Sequence, residues 1–161
     1  MGCRMVHLKV LTPNDWRLWR RVRLAALQEA PTAFGSVLAD WQGDGDREER
    51  WRHRLTTVSF NVIADADGDP AGMVSGGWID QDVELMSLWV APFARGQGVG
   101  DRLVETVVQW ARNQHAPRVI LSVKDHNAFA IRLYRRQGFR EVGPSPQSEP
   151  GSPEILFVRS L

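Results

Sequence analysis

The chain has 161 residues, 43% hydrophobic and 24% charged, which suits one globular domain spanning 1–161 and leaves little room for a second. A net charge of +1 without a clustered Lys/Arg face argues against nucleic acid as a partner, and no run of about 20 apolar residues argues for a membrane span. Cys3 is the only cysteine, which excludes an internal disulfide and a thiolate metal cage and fits a reducing cytoplasm.

Basic charge is almost all arginine, with Lys9 and Lys124 the only lysines, a balance typical of GC-rich bacterial genomes. The opening MGCRMV places Val6 where a myristoylation signal carries Ser or Thr, so no lipid anchor is expected. The stretch HLKVL alternates weakly as a strand. Thr12, Pro13 and Asp15 then supply an N-cap, an N1 proline and an acidic N3 residue for a helix running to about Ala30. Trp19, Val22 and Ala26 recur on it at helical steps. Pro31, Gly35 and GDGD break the next stretch into short helices reaching Thr57.

Strands come next. Val58, Phe60, Val62 and Ala64 alternate, Asp67-Gly68 forms a hairpin turn, Met73 to Ile79 returns, and Val83 to Val90 extends the meander. Beyond the loop APFARGQG, Val99, Leu103, Val107 and Trp110 form a helical stripe, and RVILSV reads as a buried strand parallel to its predecessor across that helix. A second helix runs from Asn127 to a terminating Gly138. FREV, the loop GPSPQSEPGSP and EILFV close the chain with a strand pair. The predicted class is α/β with a mixed sheet.

Val90 to Glu105 carries the first chemical signal. A strand passing through glycines into a helix aims free backbone N–H groups, and the positive end of the helix dipole, at one spot suited to an anion. Gly96, Gly98 and Gly100 lack the Cβ atoms that would hold a phosphate away, and Arg95 adds a charge-assisted contact. The spacing is neither the dinucleotide fingerprint nor a Walker loop. A turn needed only for tight packing would use the same glycines.

The second signal is NAFAIRLYRRQGF, with Asn127 at a helix start, Ala130 and Tyr134 one turn apart, and Gly138-Phe139 at the exit into a strand. From Val83 to Phe139 these two segments resemble the GNAT superfamily of N-acetyltransferases. Arg95, Gly98 and Gly100 match its R/Q-x-x-G-x-G/A loop, and Asn127 to Phe139 matches its N-x-x-A-x-x-L-Y-x-x-x-G-F segment. RLAALQEAPTAFGS is similar to the N-terminal helix pair of many bacterial members. The resemblance implies a mostly antiparallel sheet of six to seven strands, about four helices, and a V-shaped splay between two central parallel strands that takes acetyl-CoA.

By that resemblance Gly96, Gln97, Gly98, Val99, Gly100 and Asp101 would bind the pyrophosphate through backbone N–H groups beside Arg95. Leu88, Trp89 and Val90 would present strand backbone to the pantetheine and the thioester carbonyl, with Asn127 and Phe129 across from them. Glu84 matches the family's base, which an acceptor amine of pKa roughly 10 requires. Tyr134, the only tyrosine, matches the acid that protonates the departing thiolate, and it is counted among the cofactor-binding residues too. A regular strand would turn Glu84, Met86, Leu88 and Val90 to one face, unless a bulge intervenes.

The implied reaction is acetyl transfer to a primary amine of a small molecule or peptide by direct attack in a ternary complex. A sensor or structural module that binds coenzyme A without turnover is the alternative. Dimers are common in the family. Trp41, Trp51 and Trp78, with Asp40, Asp80 or Asp82, are candidates for the acceptor pocket, although tryptophans also serve as core. The proline-rich loop is a lid or a linker. No metal is expected: DADGDP places Pro70 where a calcium loop needs glycine, and the four histidines lack ligand spacing.

Overall fold

The computed structural model describes residues 4–34 and 37–161. Cys3 and Gly35, both singled out in the sequence, lie outside these described residues. In chain order the elements are β1 (Val6–Val10), α1 (Trp16–Glu29), α2 (Glu48–Thr57), β2 (Phe60–Ala66), β3 (Asp69–Ile79), β4 (Asp82–Val90), α3 (Val99–Asn113), β5 (Arg118–Lys124), α4 (Ala128–Arg136), β6 (Arg140–Pro144) and β7 (Glu154–Ser160). They build one seven-stranded sheet in the order β1-β2-β3-β4-β5-β7-β6, so the last strand inserts between β5 and β6. Among the described residues only the β4–β5 pair is parallel, as expected across a crossover helix.

Local chemistry places these elements. Asp15 accepts the Thr12 N–H at 2.8 Å, which turns the chain through a 3-10 turn at Pro13–Asp15 into α1. Asp67 and Gly68 sit at φ +52° and +91°, the left-handed pair that a two-residue hairpin between β2 and β3 demands. Between α1 and α2 the segment 38–45 forms two 3-10 turns. Asp46 then accepts from Arg20 Nε at 2.7 Å and from Trp51 Nε1 at 2.8 Å, tying this stretch to both helices.

The sheet carries a core on each face. Val62, Ala64, Val74, Val83 and Leu85 pack beneath α3 and α4, while Ile63, Met73 and Trp89 pack beneath α1 and α2 with Trp19 and Trp51. Alternate residues of β2 and β3 therefore serve opposite cores, and both strands are buried on both sides. Each large apolar side chain buried in this way contributes roughly 1.5–3 kcal/mol.

Two irregularities in the middle of the sheet shape the site. The β4–β5 ladder consists of Val83↔Val119 and Glu84↔Ile120 and then stops, so from Leu85 onward β4 has no strand partner on that side. On its other side the pairing with β3 slips between Met73 and Ser75, leaving extra residues on β4 opposite one on β3. Ser87 stands in that bulge at φ +59°.

Candidate active site

The bulge reverses which face β4 presents. Before it, Val83 and Leu85 belong to the core under α3 and α4; after it, Leu88 and Val90 do, while Trp89 joins the opposite core. Glu84 and Leu88 consequently do not share a face, which replaces the regular-strand expectation with the bulged alternative.

Where β4 and β5 part, a continuous groove of three hollows opens. The first, of about 350 Å³, lies over the glycine loop and is walled by Arg95, Gly96, Gly98, Val99, Gly100 and Asp101 together with Arg132, Leu133 and Arg136 of α4. The second, of about 460 Å³, runs between Leu88–Trp89–Val90 and His126–Asn127–Ala128–Phe129–Ala130. Val90, Arg95 and Phe129 are common to both. The third, of about 410 Å³, shares Ala33 and Phe34 with the second and contains Glu84, Ser87, Ser122, Lys124, Gln147, Glu149 and Glu154, with Arg23 and Arg54. A larger hollow of about 670 Å³, lined by Arg102, Thr106 and Trp110 of α3, shares Asp101 with the first and includes neither Glu84 nor Tyr134.

The glycines of the loop have different tasks. Gly96 and Gly98 adopt φ +75° and +81°, and a Cβ at either would meet nothing within 4 Å, so the backbone is left-handed and open above. Gly98 is the N-cap of α3, and the first backward bond of that helix is Arg102 N to Gly98 O at 3.1 Å; the amides before it have no acceptor within the helix. Gly100 is different. Its missing Cβ would fall 2.9 Å from Leu133 Cδ2, so this glycine lets α4 approach α3 rather than clearing space for an anion.

Side chains around the loop are already engaged. Arg95 donates through Nε to the Val90 carbonyl at 3.0 Å and through Nη2 to Glu29 at 2.8 Å, and Glu29 also accepts the Trp89 indole N–H at 2.9 Å. Asp101 takes Arg136 in a two-point pair at 2.9 and 3.0 Å and Gln137 at 2.8 Å, and those contacts hold its carboxyl below the ordinary range. Gln97 donates to the Phe93 carbonyl at 3.0 Å. Arg132, Arg136 and Glu29 were missed by the motif reading. The signal for the two arginines was present, since they follow Phe129 by three and seven residues on one helical face.

Asn127 caps α4 by accepting the Ala130 N–H at 3.2 Å and lines the second hollow from its position in the chain turn. Glu84 accepts Gln147 Nε2 at 2.6 Å, so the proline-rich loop reaches over the third hollow. Tyr134 stands behind the walls of these hollows rather than in them. It is 6% exposed, with its ring 5.9 Å from Phe139 and 6.4 Å from Phe157, and burial pushes its phenol well above the ordinary value.

The tryptophan expectation fails. Trp51 is fully buried in the core under α1, Trp41 lies against it at 4.6 Å, and Trp78 sits against Trp110 at 5.7 Å on the side of α3. Asp82 is paired with Arg118 at 2.6 Å. Trp51 and Trp41 thus serve the core under α1, whereas Trp78 is 46% exposed and stands apart from the groove's lining residues.

Comparison with known proteins agrees with this geometry. The profile of the Acetyltransferase (GNAT) family matches residues 19–139. The chain belongs to the GNAT family.

Among curated GNAT relatives, the streptothricin acetyltransferase of Streptomyces lavendulae is 38% identical over 123 residues, covering 73% of this chain and 64% of that protein. The L-methionine sulfoximine/L-methionine sulfone acetyltransferase of Pseudomonas paraeruginosa is 34% identical over 125 residues, covering 71% and 73%. A thialysine N-epsilon-acetyltransferase from Sus scrofa is 30% identical, covering 63% of each chain. The match thus spans somewhat under two thirds of the streptothricin and thialysine enzymes. Among solved structures, the PaiA N-acetyltransferase from Thermoplasma acidophilum in complex with coenzyme A shares the fold at TM-score 0.75 and 14% identity, covering 98% of this chain and 99% of that one. Among the described residues no helix is long and apolar enough to cross a membrane, and no cluster of three or more His, Cys, Asp or Glu is placed to hold a metal.

Proposed function

We propose that this GNAT chain transfers an acetyl group from acetyl-CoA to the nitrogen of a primary amine, carried by a small molecule or peptide, in a ternary complex. The observation that carries the reading is the groove that begins where the β4–β5 ladder ends, runs from an open left-handed glycine loop past unpaired strand backbone, and reaches a carboxylate.

The residues present fit the donor. The uncapped amides ahead of Arg102, with Arg132 and Arg136 on the wall, suit a diphosphate. Arg95 acts chiefly as a brace between Val90 and Glu29 and presents the rest of its guanidinium to that site. Leu88 to Val90 and Asn127 to Ala130 flank the channel for the pantetheine. When bound, the donor supplies the acetyl group as a thioester.

Glu84 is the base. Its carboxylate takes a proton from the incoming ammonium, directly or through water, because only the neutral amine has a lone pair to attack with. Free N–H groups of β4 beyond the ladder steady negative charge that develops on the carbonyl oxygen. Tyr134, behind the groove wall that Ala130 and Leu133 of the same helix form, keeps its proton at every physiological pH and serves the departing sulfur once the bound donor brings that sulfur within reach of its hydroxyl. Its raised pKa makes it a weak acid, so its proton moves only late in the step, as charge builds on the sulfur.

The relatives are named for acceptors as unlike as streptothricin, thialysine and methionine sulfoximine, so the acceptor has to be read from this chain's own cleft. Calorimetric titration with acetyl-CoA, followed by a thiol-release assay over polyamines, aminoglycosides, amino acids and short peptides, tests the proposal. Binding with release on at least one amine supports it. Binding without release on any of them favours a coenzyme A-binding module, and no binding ends the reading.

A further inference from the structure

The third hollow contains a charge arrangement that the transfer reaction does not explain. Arg23 is 7% exposed, and its Nη1 is buried without a hydrogen-bond partner among the described residues. Its guanidinium lies over the Phe34 ring at 4.9 Å. Arg54 donates to Asn61 Oδ1 at 2.9 Å and to Ser75 and Ser87 hydroxyls at 3.3 Å, all neutral groups, and lies over Trp19 at 5.0 Å. Among the described residues neither arginine forms an ion pair with a carboxylate. Burial lowers both to about 10, Arg54 with a further contribution from the charge of Arg23, so both stay protonated at neutral pH.

Two like charges kept out of water without a counter-ion destabilise a fold, and apolar side chains of similar volume would be better tolerated there. Both arginines face one hollow, in which Glu84, Glu149 and Glu154 supply carboxylates. Arg54 also touches the bulge through Ser87, three residues from Glu84. One cleft thus offers an anion site beside the carboxylate assigned as base.

We propose that the acceptor is an amino acid, a zwitterion whose carboxylate is bound by Arg23 and Arg54 while its amine is presented to Glu84. The proposal rests on the acetyltransferase reading for the role of Glu84 and on this chain's own charges for the carboxylate. A guanidinium pair offers a planar donor array that matches a carboxylate, and binding supplies the counter-charge that the two arginines lack within the fold. A polycationic acceptor would instead meet two buried positive charges at close range, which costs affinity.

The experiment titrates the full chain, with and without coenzyme A, with L-amino acids, each matched to its α-carboxamide, and with spermidine. Thiol release is measured on the same compounds. At least one amino acid should bind, and its carboxamide should bind at least about tenfold more weakly, the factor that one charge-assisted hydrogen bond carries. Arg23→Met should erase that gap and raise Tm, because it removes a buried charge without breaking a hydrogen bond. Arg23→Lys should keep part of the gap.

Equal binding of acids and carboxamides, binding of spermidine alone, or an intact gap in Arg23→Met with a lowered Tm would overturn the proposal. Failure here and failure of the acetyltransferase reading are separable. Acid-selective binding without thiol release spares the carboxylate site and sinks the transfer reaction. Release on amines regardless of a carboxylate does the reverse.

Discussion

Gln147 donates its side-chain amide to Glu84 at 2.6 Å, joining the loop between β6 and β7 to the strand that opens the splay. Glu84→Gln should lower kcat by about 10²-fold or more with the affinity for acetyl-CoA unchanged, because proton abstraction and not donor binding is lost. Gln147→Ala unlatches the loop and leaves the carboxylate, so it should raise the acceptor KM more than it lowers kcat. Steady-state kinetics with both substrates varied would expose the error if the two variants lost kcat equally.

Tyr134→Phe removes one oxygen from a side chain packed against Phe139 and Phe157. Thermal stability should therefore change little, while kcat falls by about 10²-fold. The sign of the pH effect follows from burial, which favours the neutral phenol and raises its pKa. Ionisation of this group then produces no limb below pH ~10. The ratio of wild-type to variant rate should stay flat from acid to mildly alkaline pH, and a ratio that collapses near neutrality would remove Tyr134 from the step.

Gly98→Ala and Gly100→Ala should fail for different reasons. At Gly98 the space is open and the penalty is the left-handed backbone at φ +81°, about 1 kcal/mol, together with weaker donor binding. At Gly100 the added methyl meets Leu133 at 2.9 Å in a packed core, an overpacking cost of about 1–3 kcal/mol. Leu133→Val should recover part of the Gly100→Ala loss and none of the Gly98→Ala loss. Denaturant midpoints of the single and double variants decide the matter.

Asp46 predicts an acid transition. Hydrogen bonds from Arg20 and then Trp51 lower its carboxyl from 3.8 to about 2 in the folded chain. A depressed folded value means that this contribution to stability is fully present above pH ~4, then fades as pH falls towards 2. Asp46→Asn should lower stability at pH 7 by on the order of 1 kcal/mol, discounted for the partial exposure of the pair. Wild type and variant should converge near pH 2; parallel pH–stability curves would contradict the assignment.

Much of the site is legible in the sequence because its determinants are local. The glycines at 96 and 98, the cap at Asn127 and the hairpin at Asp67-Gly68 each answer to the conformation of a few consecutive residues. Ser87 illustrates the opposite case. DVELMSLWV alternates as a plain strand, and only the pairing of β3 with β4 puts a serine at φ +59° and turns the later residues over. Glu29 was equally out of reach, since it meets Arg95 across 66 positions of sequence. The third hollow gathers Arg23, Arg54, Glu84, Lys124 and Glu154 from five different elements, and no spacing rule joins them. The misplaced tryptophans come from the same cause: composition counts aromatic rings but does not say that Trp51 goes to a core and Trp78 to the surface.

Glu29, at the last turn of α1, grips Trp89 and Arg95 together. The stretch that carries the family's signature is therefore not a minimal unit. Transplanted into another host, residues 83–139 would keep their spelling and lose their hold, because the brace on the arginine comes from a helix that ends more than fifty residues upstream of the graft.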